Sequence, residues 1–263
     1  FKVVIDTANG ATYKIAEKIF TRLGIEFKII NNNPNGININ KDCGSTHLEM
    51  LKEYVTSNKY NLGIAYDGDG DRCLAVDENG NEINGDIMLA ILSKYLKEEN
   101  ALKKDTVVAT VMSNLGLDIY CKNNNLSLEK TNVGDRYVLE EMLNKGYNLG
   151  GEQSGHIIFL DYNPTGDGIL TSLMLIRSMV KYNKKASELA SIIDIYPQVL
   201  VNAKVALDKK YLYKEDSEIT KMIQEVEEKL KNEGRVHIRP SGTEHLVRLM
   251  SVTYKHLTLP TIA

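Results

Sequence analysis

The chain has 263 residues, 43% of them hydrophobic and 25% charged, with a formal net charge of -3. That is enough apolar material for ordinary packed cores and a length suited to two or three domains. The near-balanced charge argues against a nucleic-acid binder, which would be basic, and no run approaches the ~18 apolar residues of a membrane-spanning helix. No signal peptide is visible. Cys43, Cys73 and Cys121 are odd in number and far apart. They form neither a disulfide framework nor a zinc site and read as reduced thiols of a cytoplasmic protein.

The first block is read as residues 1–98. Phe1–Ile5 is already a strand pattern with no initiator Met before it, so the chain reads as a fragment beginning inside a folded unit. The strand Lys2–Asp6 passes into a turn at Asp6–Gly10. From Thr12 to Leu23 the apolar residues Ile15, Ala16, Ile19, Phe20 and Leu23 recur at helical spacing, and Gly24 stops the helix. Ile25–Ile30 reads as a strand, Asn31–Gly36 as a loop of turn formers, and His47–Asn58 as a helix. The strand Leu62–Tyr66 runs into Asp67-Gly68-Asp69-Gly70-Asp71-Arg72; strand-like Cys73–Val76, a turn at Asn79-Gly80 and a helix Asp86–Glu98 follow.

The second block, 99–195, repeats this grammar: strand Thr106–Val111, helix Leu115–Asn123, strand Ser127–Thr131, helix Arg136–Lys145. Then come Leu149–His156, strand Ile157–Leu160 and a long helix Asp167–Tyr182. Strands alternating with helices predict parallel α/β layers. The third block, 196–263, has strands Val199–Ala206, Val236–Arg239 and Leu246–Val252 around one charged amphipathic helix, Asp216–Lys231. The fold class expected is therefore α/β, two consecutive α/β domains followed by a smaller α+β domain. The last ten or so residues show no period and carry no functional weight.

Three loops hold the chemistry. Asp67, Asp69 and Asp71 alternate with glycines that let the backbone fold tightly, so three carboxylates can converge. Such a cluster repels itself unless a cation lies between, and hard oxygen ligands favour magnesium or calcium. An EF-hand would place its last acidic ligand at Glu78, but the flanking segments are strands where that motif needs helices. Arg72 beside the triad could neutralise it, hold a phosphate or form a plain salt bridge. In Gly150–His156, Glu152 and Ser154 fall on alternate positions and suit sugar hydroxyls, while His156 could carry a proton near neutral pH. In Arg239-Pro240-Ser241-Gly242-Thr243-Glu244, a guanidinium, two hydroxyls and a glycine that frees backbone amides make an anion-binding set. Arg248 on the next strand could add a second cation. The Walker A ending is absent.

These loops, in this order, resemble the α-D-phosphohexomutase superfamily over nearly the whole chain. Within it, Asp6–Ala11, Val133–Val138, Gly151–His156 and Thr165–Gly168 are most similar to the phosphoglucosamine mutase branch. Gln153 and Gly134-Asp135-Arg136 lean away from phosphomannomutase/phosphoglucomutase. The resemblance implies interconversion of glucosamine 6-phosphate and glucosamine 1-phosphate through a phosphoserine and a bisphosphorylated sugar. It assigns Mg2+ to Asp67, Asp69 and Asp71. Catalysis falls to His156 and Arg72, and sugar-phosphate binding to Glu152, Ser154, His156, Arg239, Ser241, Gly242, Thr243 and Arg248. It implies a small-molecule sugar phosphate as partner, with no nucleic acid and no membrane. The family's Ser-His-Asn-Pro segment does not occur here, so the N-terminal domain carrying it would be missing and the fragment inactive alone. His245 stands where the family usually has proline. The rival readings are mutase chemistry on mannose or glucose phosphates and a non-catalytic sugar-phosphate-binding module.

Overall fold

In the computed structural model, which describes residues 1–206, 209–230, 234–240 and 245–253, strand β1 (Lys2–Asp6) is buried along Val3–Asp6. It pairs in parallel with β2 (Glu26–Ile30) and β3 (Leu62–Tyr66), and β3 pairs antiparallel with β4 (Cys73–Asp77), which pairs with β5 (Glu82–Ile83). The sheet order is β2-β1-β3-β4-β5. Between β1 and β2 runs α1 (Tyr13–Leu23), which buries Ala16 and Phe20 and ends on Gly24 in the left-handed conformation. Between β2 and β3, a short 3-10 turn at Gly44–Thr46 precedes α2 (Glu49–Ser57), so the expected helix from His47 starts two residues later. In this sheet the parallel layers expected from the sequence hold for β1–β3 and end there. Short links after β3 and β4 leave no room for a crossover helix and force antiparallel returns.

A second sheet has the order β7-β6-β8-β9, built from β6 (Thr106–Thr110), β7 (Ser127–Thr131), β8 (Leu149–Gly151) and β9 (Ile157–Phe159). Its first three strands are parallel, and β9 returns antiparallel along β8. Helix α3 (Gly85–Glu98) is buried from Gly85 to Ser93 and again at Tyr95 and Leu96. A helix apolar on all sides must be enclosed. One cluster accordingly joins α3 to Ile5, Ile64 and Tyr66 of the first sheet and to Val107, Ala109 and Leu149 of the second. α4 (Leu115–Asn123), α5 (Asp135–Lys145) and α6 (Gly168–Tyr182) follow, and a short α7 (Ala186–Ala190) was not foreseen from sequence.

The chain divides into two units. The first is Phe1–Ser113 with Leu117–Ile193 and contains both sheets above. The second comprises Asn114–Gly116 and the residues from Asp194 on. Asn114 belongs with it because its side-chain amide donates to Tyr196 O at 2.9 Å and its Oδ1 accepts from Tyr196 N at 3.0 Å. In this unit β10 (Gln198–Lys204), α8 (Ser217–Leu230), β11 (Gly234–Pro240) and β12 (Leu246–Thr253) form an antiparallel sheet of order β10-β12-β11 and one helix. No helix among the described residues is long and apolar enough to cross a membrane.

Candidate functional site

The acidic loop leaves the buried end of β3. Asp67 is 6% exposed, and its Oδ1 accepts hydrogen bonds from Gly70 N at 3.2 Å and Arg72 N at 3.1 Å. Those bonds curl the loop back over its first residue. One oxygen from each of Asp67, Asp69 and Asp71 then lies within 4.8 Å of the others. Burial, followed by the neighbouring Asp71 and Asp69, pushes the Asp67 carboxyl up to about 6. Asp71 Oδ1 is buried and has no hydrogen-bond partner among the described residues. Three converging carboxylates with an orphaned buried oxygen fit a hard divalent cation, whose charge would offset their repulsion. Arg72 offsets part of it, its Nε lying 3.8 Å from Asp67 Oδ2 with the side chain 43% exposed. Glu78, the residue an EF-hand would need, accepts instead from Ser187 N at 3.2 Å at the start of α7.

The second loop is the turn between β8 and β9. Gly155 N donates to Glu152 O at 3.0 Å and Glu152 N to His156 O at 2.9 Å. This turn is stitched to the acidic loop: Cys73 N donates to Gly155 O at 3.0 Å, and Arg72 and His156 form an antiparallel bridge. The approach requires glycine at 155, with φ at 89° and a Cβ position only 2.2 Å from Cys73 O. His156 is 3% exposed, with Nε2 3.4 Å from Asp71 Oδ2 and Nδ1 buried without a partner among the described residues. Glu152 is half-buried and its Oε1 accepts from Gly134 N at 3.1 Å, while Ser154 is exposed. Gln153 is held by α3: its Nε2 donates to Asp86 Oδ2 at 3.0 Å and its carbonyl accepts from Gly85 N at 2.9 Å. The Thr165–Gly168 segment closes the site from behind, Gly168 N donating to Gly70 O at 2.9 Å.

The structure thus brings Asp67, Asp69, Asp71, Arg72, Glu152 and His156 into one constellation within the first unit. In the second unit, Arg239 of β11 and Arg248 of β12 stand directly opposite in register and are both half-buried. Directly opposite residues share a face of the sheet, so the two arginine side chains leave the same face. Ser241, Gly242 and Thr243, with Glu244, lie outside the described residues. Sequence reasoning missed the grip of Gly134 on Glu152 and of Asp86 on Gln153. Backbone amides carry no side-chain signature, and Asp86 reads as an ordinary first-turn acid.

Three family models of phosphoglucomutase/phosphomannomutase match in order: alpha/beta/alpha domain II over residues 1–80, alpha/beta/alpha domain III over 84–196, and the C-terminal domain over 200–251. The chain belongs to the phosphoglucomutase/phosphomannomutase family. It is 58% identical over 249 residues to a phosphoglucosamine mutase of Ruminiclostridium cellulolyticum, covering 95% of this chain and 56% of that protein. A phosphoglucosamine mutase of Clostridium botulinum (strain Eklund 17B / Type B) is 59% identical over the same shares. The chain therefore spans about half the length of these relatives. Among solved structures, a family protein from Burkholderia thailandensis matches with a TM-score of 0.81 at 20% identity, over 97% of this chain and 57% of that one. An Aspergillus fumigatus N-acetylphosphoglucosamine mutase, solved with GlcNAc-6P and magnesium, matches with 0.76 at 19%, over 97% and 62%. At these identities the likeness concerns the fold, and it agrees with the α/β expectation.

Proposed function

We propose that this chain supplies the metal-, sugar- and phosphate-binding parts of a phosphoglucosamine mutase that interconverts glucosamine 6-phosphate and glucosamine 1-phosphate. The observation that carries this reading is the stitching of the triple-carboxylate loop to the Glu152–His156 loop, in a chain 58% identical to phosphoglucosamine mutases across 95% of its length. In the proposal, residues 1–98 form a metal-loop domain, 99–195 a sugar-recognition domain and 196–263 a phosphate-binding domain, working in the cytoplasm with an N-terminal domain that bears a phosphoserine.

Phosphoryl transfer asks of a protein mainly positioning and charge neutralisation. Asp67, Asp69 and Asp71 would hold Mg2+, which when bound neutralises phosphate charge. Arg72, on the rim of that loop, would face the same charge. Glu152 and Ser154 would bind sugar hydroxyls, Glu152 through the oxygen not engaged by Gly134. Arg239 and Arg248, with Ser241, Gly242 and Thr243, would hold the non-reacting phosphate. The phosphoryl group passes from serine to the free sugar oxygen, whose proton leaves to His156 while the released serine oxygen takes up a proton. The bisphosphorylated sugar then turns over and returns its other phosphoryl group to serine.

Calorimetry on the full-length protein tests this reading. With Mg2+ it should bind glucosamine 6-phosphate more tightly than mannose 6-phosphate, and Asp69→Asn should weaken Mg2+ binding strongly while leaving the fold intact. Equal binding of the two sugars shifts the reading to the broader hexose mutases; unchanged Mg2+ affinity in the variant sinks the metal assignment.

A further inference from the structure

We propose that Asp135 selects a 2-amino sugar phosphate over its 2-hydroxy counterpart by presenting its carboxylate to the protonated amine. The inference rests on the mutase reading above and names the specificity device of the same site.

Glu152 grips the start of α5. Its Oε1 accepts from Gly134 N at 3.1 Å, and Gly134 caps the helix whose first residue is Asp135. Consecutive Cα atoms are 3.8 Å apart, so the Asp135 Cα lies within about 8 Å of the Glu152 carboxylate. A single hexose ring with its substituents spans such a distance, so one sugar can meet both acids.

Asp135 is exposed, and among the described residues its carboxylate makes no hydrogen bond or ion pair. The adjacent cation does not neutralise it, because Arg136 Nε turns along the helix to Glu140 Oε1 at 2.9 Å. The chain thus fixes an uncompensated negative charge beside the loop that holds the sugar hydroxyls. An acid in the first turn also suits the helix dipole. That accounts for its helical position but not for the hydrogen bond that ties this turn to Glu152.

The amine of a 2-amino sugar is protonated to a substantial degree near neutral pH, as α-amino groups titrating at about 7.7–8.0 are. An ammonium offers a carboxylate a charge-assisted hydrogen bond, about twice as strong as the one a hydroxyl offers. Glu152 already gives one carboxylate oxygen to Gly134 N, and Ser154, a hydroxyl, makes no such distinction. A neighbouring unpaired carboxylate does.

The test uses the full-length protein carrying Asp135→Asn, which keeps shape and removes charge. Its readouts are kcat/KM for glucosamine 6-phosphate and the inhibition constant of glucose 6-phosphate as a competing ligand. The expected result is a loss on the order of tenfold for the amino sugar, a competitor constant within about twofold of wild type, and recovery in Asp135→Glu. Proportionate weakening of both ligands would mean a helix-start role and overturn the proposal, as would no change in either. A wild-type protein that processes no hexose phosphate refutes the function and this proposal together. A working mutase whose amino-sugar preference survives Asp135→Asn refutes the proposal alone.

Discussion

Gly166→Ala probes the join between the two loops. A Cβ at this position would stand 2.5 Å from His156 Cδ2 and Nε2 and 2.7 Å from the Asp71 carbonyl oxygen, where ordinary contact begins at 3.4 Å. Gly166 is not among the residues with positive φ, so the alanine is excluded by space and not by backbone conformation. The imidazole is 3% exposed and must move by roughly the ångström that the contact lacks, which opens the 3.4 Å approach of Nε2 to Asp71 Oδ2. Overpacking of this kind costs about 1–3 kcal/mol. In a unit of this size each kcal/mol lowers Tm by about 2–4 °C, so the expected drop is about 2–12 °C. Because Asp71 belongs to the carboxylate triad, the variant should also bind Mg2+ more weakly. At a cation concentration 100 times the dissociation constant, binding stabilises by about 2.7 kcal/mol, and a tenfold weaker site halves that. Differential scanning fluorimetry with and without Mg2+ reads both effects. A variant whose Tm and Mg2+ increment both match wild type would show that His156 and Asp71 do not pack against residue 166, and would refute the reasoning.

Asp67 titrates near 6, so protons should compete with the cation below that pH. The Mg2+-dependent rise in Tm should be full at pH 7.5 and shrink steadily below pH 6. The sign is opposite for the metal-free protein: a carboxyl raised in the folded state favours folding as pH falls through 6, so acidification to pH 5 should not destabilise it through this residue. Cys43, Cys73 and Cys121 are each no more than 1% exposed, and burial pushes the Cys121 thiol up to about 12. None should react with a thiol reagent before unfolding; rapid labelling of any one in the native protein would contradict the packing. Asp77 accepts from Asn79 N and Asn81 N at 2.8 Å and from Asn81 Nδ2 at 3.0 Å in the turn between β4 and β5. Asp77→Ala should cost about 1–3 kcal/mol in denaturant melts and leave Mg2+ affinity unchanged.

The readable parts of the fold were those where one local rule acts. Gly24 stops α1 and the apolar runs at Lys2–Asp6 and Leu62–Tyr66 become strands because their neighbours demand nothing else. The unreadable parts depend on contacts far apart in sequence. β8 is only Leu149–Gly151 and exists because β6 and β9 flank it. α7 is five residues long, and its first turn is held by Glu78, more than a hundred positions away. In the site, Asp67, Asp69 and Asp71 were legible because carboxylates alternating with glycines have few other uses. The tie between Gly134 and Glu152 was not, since any residue but proline could donate that amide.

The acidic loop works against folding and the surrounding structure holds it in place. Burial and two neighbouring acids raise the Asp67 carboxyl, which means its ionised form is disfavoured in the folded protein. An isolated loop would relieve this by spreading its carboxylates into water. Here it cannot spread, because Asp67 Oδ1 is pinned by the amides of Gly70 and Arg72, Gly70 O by Gly168 N, and Asp71 stands against His156. The first two ties lie within the loop, the others come from the segments of Gly168 and His156, and none requires a cation to form. A cation arriving at such a loop does not have to gather its ligands; the ordering cost is already met by folding, and its charge removes a repulsion that the fold maintains. The same logic explains why the Glu152–His156 turn is stitched to the acidic loop by backbone bonds: Cys73 N to Gly155 O fixes the distance between the two loops whatever side chains they carry. In the proposed function, side chains such as Asp135 then choose among sugars on a frame already set.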